Sequence, residues 1–448
     1  MTPTNGESPV LPQPTPLYRW TVLVFVSLAM FGNYYVYDSA APVFDLLKSQ
    51  LQFSDQQLGL LYSVYSVAAV LVLLGGGYII DRWGTKKSIT LFALICLGAA
   101  FVTAASPSFY VMAGGRFLLG MGAEPLIVAV TTALAKWFKG KELSFAFGLN
   151  LTIARIGSAS ADWSPTWARP LYDTWQDPLF LATAIAGISV AGALLYWILE
   201  SRAEGRYSLG EAGGTDKLER KGLFSFTASY WYIVALCVVF YSTVFPFRAF
   251  AIYYFQQAHG LEREAAGLLN SFLPISAMVA TPLFGLLVDK IGRRSFFMAV
   301  GSLVLLPLFL IVTYAPPGPP ISIGGTAIPL TLILVMTLLG LAFSLIPAVM
   351  WPSVAYIVEQ RRLGTGYALM TLFQQIGMAI VPWSIGFMND LLKASETNTA
   401  GYAGGMWIFT ALASLGLFFS YMLWRTERGP GAHGLETITT KTGVAGGA

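Results

Sequence analysis

Apolar runs of about twenty residues recur twelve times along the chain, and nothing else in it narrows the possible folds as far. Wound as a helix at ~1.5 Å per residue, such a run crosses the ~30 Å hydrocarbon core of a bilayer. The runs fall at residues 18–45, 56–80, 87–106, 109–135, 142–163, 178–200, 229–258, 264–288, 295–314, 328–357, 363–390 and 403–424. Helices suit that setting because they satisfy their backbone polar groups internally where no water is available. Only 11% of residues are charged, against about 25% in an ordinary soluble domain. The expected fold class is all-α, a polytopic membrane protein of twelve transmembrane helices.

The charges punctuate these runs in a regular way. Of 27 Lys and Arg, 20 lie in the termini and in the loops after even-numbered spans, counting Arg19 and Lys87 at the bordering span edges, 4 in the loops after odd-numbered spans, and 3 deep inside spans. Basic segments stay on the cytoplasmic side, so both termini are expected there. The formal net charge of +4 then reports orientation and contact with anionic lipid, and excludes nucleic acid as the expected partner. Cys96 and Cys237 fall in separate spans, which argues against a disulfide. Residues 1–17, with Pro9, Pro12, Pro14 and Pro16 ahead of the first apolar run, read as a disordered lead-in and not as a signal peptide. Residues 427–448 read as a disordered C-terminal tail.

The chain also repeats itself once. Gly77-Tyr-Ile-Ile-Asp81-Arg82-Trp-Gly84-Thr-Lys86 matches Gly285-Leu-Leu-Val-Asp289-Lys290-Ile-Gly292-Arg293-Arg294 at an offset of 208 residues. Gly59-Leu-Leu-Tyr-Ser63 and Gly267-Leu-Leu-Asn-Ser271 keep that offset. Further on, Gly120 maps to Gly340 and Gly157 to Gly377 at an offset of 220. The twelve extra residues fit the Pro/Gly-rich loop 315–326. The repeat divides the chain into a six-helix bundle over 18–200, a polar linker over 201–224 and a second bundle over 225–426. In each repeated loop the Gly allows close helix approach and Asp81 or Asp289 accepts bonds from a neighbouring helix end. The basic Arg82, Lys290 and Arg293 meet lipid phosphates or a carboxylate.

Charges inside a membrane are costly, at least ~2.5–3.5 kcal/mol at the bilayer centre, and mark functional sites by default. The candidates are Asp38, Arg116, Glu124, Arg155 and Arg248. Glu124 lies twelve residues from Lys136 along span 4 and Arg155 thirteen from Glu142 along span 5, which places both near mid-membrane. Opposite charges at equal depth can form a structural ion pair or hold a zwitterion, the carboxylate taking an ammonium group and the guanidinium a carboxylate. Gly120, one turn from Glu124, is expected to clear room beside it. In the repeat, Ser344 stands at the position of Glu124 and Gln375 at that of Arg155, so charged recognition is expected in the first half alone. Asn33, Tyr34, Tyr37 and Asp38 share one face of span 1 and suit a wet cavity. Asp38 and Arg248 are expected as an outer-gate pair or as unrelated polar residues, Arg116 as an organiser of packing or of the outer cavity, and Pro246 as a kink. His259 and His433 lie too far apart for a metal cluster, and no phosphate-binding glycine loop with Lys-Ser/Thr is present. Neither a cofactor nor catalytic residues are expected.

The loop pattern G-x-x-x-D-[RK]-x-G-x-[RK], in two copies, resembles the signature of the major facilitator superfamily, and Arg116-Phe-Leu-Leu-Gly120-Met-Gly122-Ala123 resembles its span-4 motif. The likeness covers nearly the whole chain and implies two pseudo-symmetric six-helix bundles. A closer resemblance, to the lysosomal dipeptide uniporter family, rests on Asn33–Asp38, Gly115–Glu124 through Trp137–Glu142 to Ala154–Ser158, Val244–Phe247, Phe284–Lys290, Trp351–Tyr356 and Leu363-Gly-Thr365. It implies passive dipeptide transport, often with a cationic residue, and substrate binding by Glu124 and Arg155. Gln375 and Trp351 complete the expected substrate-binding set. Span 1 lacks the Glu-x-x-Glu-Arg motif of proton-coupled peptide transporters, which favours uniport. The alternatives are a proton-coupled carrier of amino acids or organic anions and, more distantly, a non-transporting sensor. Expected partners are a small-molecule substrate and the lipid bilayer. The N-terminus shows no acidic dileucine, so the expected membrane is a bacterial plasma membrane, or the lysosomal membrane in a eukaryote.

Overall fold

The computed structural model describes residues 12–73, 76–138, 142–209, 225–359 and 362–439. The first half contains α1 (Pro16–Asp38), α2 (Phe44–Leu51), α3 (Asp55–Leu73), α4 (Gly76–Ala105), α5 (Phe109–Phe138), α6 (Leu143–Asp162), α7 (Ser164–Trp167) and α8 (Gln176–Ala203). The second contains α9 (Ala228–His259), α10 (Arg263–Ile291), α11 (Arg294–Tyr314), α12 (Leu330–Ile357), α13 (Leu363–Leu391) and α14 (Ala403–Thr426). Eleven stretches among the described residues are long and apolar enough to cross a membrane. The twelfth expected span, α6, is not one of them. Asn150, Thr152, Arg155, Ser158 and Asp162 lower its hydropathy.

The repeated loops turn at glycine in both halves. Gly84 has φ 77° and bends α4, while Gly292 has φ 73° and separates α10 from α11. Positive φ is cheap only without a Cβ, so the same residue recurs at the same repeat position. The expected loop insertion is a β-hairpin, with Pro320–Ile323 paired antiparallel to Thr326–Pro329 around Gly324-Gly325.

The halves meet along two helix pairs, α3 with α13 and α6 with α10. The repeat maps α3 onto α10 and α6 onto α13, so each seam is the pseudo-twofold copy of the other. The match reaches single residues. A Cβ on Gly59 would lie 2.2 Å from the Pro382 carbonyl oxygen, and one on Gly267 would lie 2.3 Å from that of Asp162. The offset of 208 relates the two glycines and that of 220 the two residues they meet.

The end of the chain departs from expectation. Up to residue 439 the segment expected as a disordered tail packs on the second half. Glu427 is buried and accepts from Ser229 Oγ at 2.5 Å and from the His433 amide at 2.8 Å. Leu435 is fully buried, and Glu436 caps α11 by accepting from the Ser295 amide at 3.1 Å and from the Ser295 hydroxyl. One apolar residue and two acidic ones anchor this short polar segment, and composition averaged over the tail concealed them. Residues 1–11, 210–224 and 440–448 lie outside the described residues, so the expectations for them stand as sequence readings.

Candidate substrate site

Between the halves lies a cavity of about 740 Å³. That is within the ~300–1,000 Å³ usual for small-molecule sites. It runs from Tyr37 and Arg248 past Glu124 and Arg155 toward Leu73, Thr131, Pro352 and Tyr367, in the direction of the end where α1 begins and α14 ends. Most of its wall is aromatic or aliphatic, and its charged groups are few.

Glu124 is carried by α5. Its Oε1 accepts from Tyr65 Oη at 2.9 Å and from Gln375 Nε2 at 3.0 Å. Arg155, on α6, donates from Nη1 to Thr281 Oγ1 at 2.7 Å, and its guanidinium sits 5.2 Å from the centre of the Phe343 ring. Among the described ion pairs none joins Glu124 to Arg155, which removes the structural-pair alternative for this conformation. Each charge faces the cavity beside neutral partners.

Gly120 works differently from the expectation that it clears room for a ligand. A Cβ there would lie 2.2 Å from the Tyr65 carbonyl oxygen. The glycine lets α5 approach α3, and that contact brings Tyr65 within reach of Glu124. Gly340, its repeat partner, does the same for α12 against Leu273 of α10.

Asn33, Tyr34 and Tyr37 line the cavity from α1. Tyr37 lies edge-on to Tyr65 at 4.8 Å and to Phe245 at 6.4 Å, joining the aromatic linings of the two halves. Trp351 donates from Nε1 to Tyr241 Oη at 3.0 Å and stacks on Tyr367. Arg116 is buried away from the cavity. It donates to the Leu61, Val36 and Tyr37 carbonyls and lies 4.6 Å from the centre of the Tyr62 ring, tying the end of α1 to α3.

Asp38 and Arg248 meet where the cavity ends. Arg248 Nη1 donates to Asp38 Oδ1 at 2.8 Å, and Nη2 donates to Asp162 Oδ2 at 2.6 Å. Asn270 Nδ2 donates to the other Asp162 oxygen at 3.0 Å. Four helices, two from each half, converge on this buried cluster. Beyond it, Arg263 Nε donates to Asp45 at 2.9 Å, and Asp390 accepts from the Asp55 and Gln56 amides at 3.0 and 2.8 Å, capping α3 from the opposite half.

At the other end, Asp81, Arg82, Asp289, Lys290 and Arg293 lie exposed on the repeated loops, far from the cavity lining. Asp289 accepts from Arg294 Nη2 at 3.0 Å, and the Arg293 amide donates to the Glu436 carbonyl at 3.2 Å.

Sequence reading missed Asp162, Tyr65 and Thr281. Asp162 carried a signal, since it stands seven residues, two helical turns, beyond Arg155 and thus on the same face. Tyr65 and Thr281 carried none, because isolated Tyr and Thr in apolar spans are ordinary.

Comparison with known proteins agrees with this architecture. The Major Facilitator Superfamily model matches residues 26–382 and, in a second match, 245–441. The lysosomal dipeptide transporter MFSD1 of Homo sapiens is 31% identical over 446 residues, covering 96% of this chain and 90% of the relative. MFSD1 of Danio rerio is 31% identical over 391 residues, covering 84% and 81%. A hexuronate transporter of Escherichia coli K12 is 27% identical over 179 residues, covering 40% and 41%. Among solved structures, an inward-facing, unoccupied bacterial homolog of the human lysosomal transporter Spinster superposes with a TM-score of 0.71 at 15% identity, covering 92% of this chain and 98% of that one. The nucleoside transporter NupG gives 0.66 at 14% identity, covering 92% and 99%. At those identities the structures speak for the fold alone. The chain is an integral, multi-pass membrane protein that belongs to the Major Facilitator Superfamily of transporters and is related to MFSD1.

Proposed function

We propose that this transporter carries dipeptides by alternating access, as a uniporter, with both termini on the cytoplasmic side. One observation supports the reading above the rest: Glu124 and Arg155 face a single cavity without pairing to each other. In this reading Glu124 receives the ligand's ammonium group and Arg155 receives its carboxylate. Charge-assisted bonds of this kind are roughly twice as strong as neutral ones, and the guanidinium fork adds geometric selection. The aromatic walls, with Tyr241, Phe343 and Trp351, take up side chains with little regard to identity. The activity named for MFSD1 is of the same kind.

On this assignment the cluster of Asp38, Asp162 and Arg248 is the gate on the side opposite the termini, closed in this conformation. Asp81 and Asp289 act at the cytoplasmic helix junctions and steady the conformation that opens the other way. A second reading, proton-coupled uptake, has a specific basis in Glu124, a carboxylate whose partners in the cavity are neutral. Uptake of alanyl-alanine into proteoliposomes tests both. Uniport gives equilibration down the dipeptide gradient, unchanged when an imposed pH gradient is collapsed. Accumulation above the outside concentration, driven by the pH gradient, overturns uniport.

A further inference from the structure

Glu124 and Arg155 each make a hydrogen bond to the opposite half, and the repeat relates the two bonds. Gln375 of α13 donates to Glu124, and Thr281 of α10 accepts from Arg155. Thr281 also accepts from Ser344 Oγ at 2.8 Å and donates to the Ala277 carbonyl at 2.7 Å. Gln375 occupies the repeat position of Arg155, and Ser344 that of Glu124. One pairing scheme thus appears twice. It is direct in Glu124–Gln375 and relayed through Thr281 in Ser344–Arg155. In each copy a charged residue of the first half is held by a neutral residue of the second.

The bonds are not equally content. Thr281 uses its hydroxyl fully, but Gln375 Oε1 is buried with no partner. The amide therefore donates to Glu124 while its own acceptor stays idle, at the cost of an unsatisfied buried group. An ammonium group offers three donors and can serve both Glu124 and a rotated Gln375 Oε1. A ligand carboxylate on Arg155 likewise replaces a neutral hydroxyl with a charged acceptor, the stronger partner.

We infer that Gln375 and Thr281 are latches between the halves, released one by the ligand's ammonium group and the other by its carboxylate. The inference rests on the proposed zwitterion site and deepens it. Empty, the carrier is held in the present conformation by both bonds. A zwitterion of the right length takes over both charges, frees both latches and lets the halves rock. A simple amine or a simple acid releases one latch only. Specificity then lies in the rate of conformational change as well as in affinity, and a loaded carrier reorients faster than an empty one.

The test uses the full-length carrier in lipid nanodiscs with a reporter thiol at Ala41→Cys. Ala41 is 3% exposed beside the closed end of the cavity, and the native Cys96 and Cys237 are buried. Labelling by a membrane-impermeant maleimide then reports opening of the gate. Without ligand, Thr281→Val and Gln375→Met should each raise the labelling rate on the order of tenfold, the effect of losing a hydrogen bond to a charged group. Thr281→Ser keeps the hydroxyl and should restore the parental rate. In the parental protein, alanyl-alanine should raise labelling, while its N-acetyl and C-amide derivatives should not. Unchanged ligand-free labelling in Thr281→Val and Gln375→Met overturns the latches whatever the dipeptide does. Faster labelling in both variants, with no response of the parental protein to alanyl-alanine, keeps the latches and refutes the dipeptide site instead.

Discussion

Arg248 of α9 donates to Asp162 of α6 at 2.6 Å, and the same guanidinium donates to Asp38 of α1 at 2.8 Å. One cation therefore binds two carboxylates in a buried cluster, and Asp38 keeps its second oxygen without a partner. The seal across the halves depends on this residue more than on either acid.

The gate variants should accordingly differ in a set order. Arg248→Gln leaves two buried carboxylates facing each other, and breaking a buried pair in this way typically costs ~3–5 kcal/mol. Asp38→Asn leaves Arg248 with Asp162 and a neutral cluster, so its effect should be small. Thermal unfolding in detergent should show a large loss for Arg248→Gln, little change for Asp38→Asn, and partial recovery when the two are combined. Equal losses in Arg248→Gln and Asp38→Asn would show that charge balance does not govern the gate.

The tail offers a pH-dependent contact. Burial of Glu427 opposes its charged form, but hydrogen bonds from Ser229 and His433 outweigh that and hold the carboxyl below its ordinary 4.5. A depressed folded-state pKa means the contact is fully stabilised above pH 4.5 and weakens as pH falls through the lower, folded-state value. Hydrogen exchange over residues 427–439, corrected for the intrinsic rate, should show protection at neutral pH that fades in acid below 4.5. In Glu427→Gln the protection should be lower at neutral pH and flat across this range. Protection that survives full protonation of Glu427 would assign the tail's docking to Leu435 and Glu436 alone.

Much of this architecture was legible in advance, for physical reasons that differ by element. Span positions follow from the bilayer, which demands long apolar helices. The two offsets of 208 and 220 relate Gly59 to Gly267 and Asp162 to Pro382, but that each glycine meets the residue it does is a fact of the packing. Glu124, Arg155, Asp38 and Arg248 stood out because charge within a span is expensive. What the sequence could not convey is which neighbour each charge selects. Tyr65 reaches Glu124 only because Gly120 admits α3, and Thr281 reaches Arg155 only because α6 and α10 form a seam. Both depend on helix packing across long stretches of chain. The tail departs from expectation for the opposite reason. Leu435 and Glu436 are specific anchors within a composition that resembles disorder.

The proposed zwitterion site is formed by Glu124 and Arg155, and alanyl-alanine binding by single-charge variants measures it most directly. Removing one partner of a desolvated charge pair typically costs ~2–5 kcal/mol, roughly thirtyfold or more in affinity. Glu124→Gln and Arg155→Gln should each abolish ligand-induced thermal stabilisation and uptake while unfolding near the parental temperature. The N-acetyl ligand should reproduce the first loss in the parental protein, and the C-amide the second. Near-parental alanyl-alanine uptake by either well-folded variant would rule out a zwitterion site at Glu124 and Arg155.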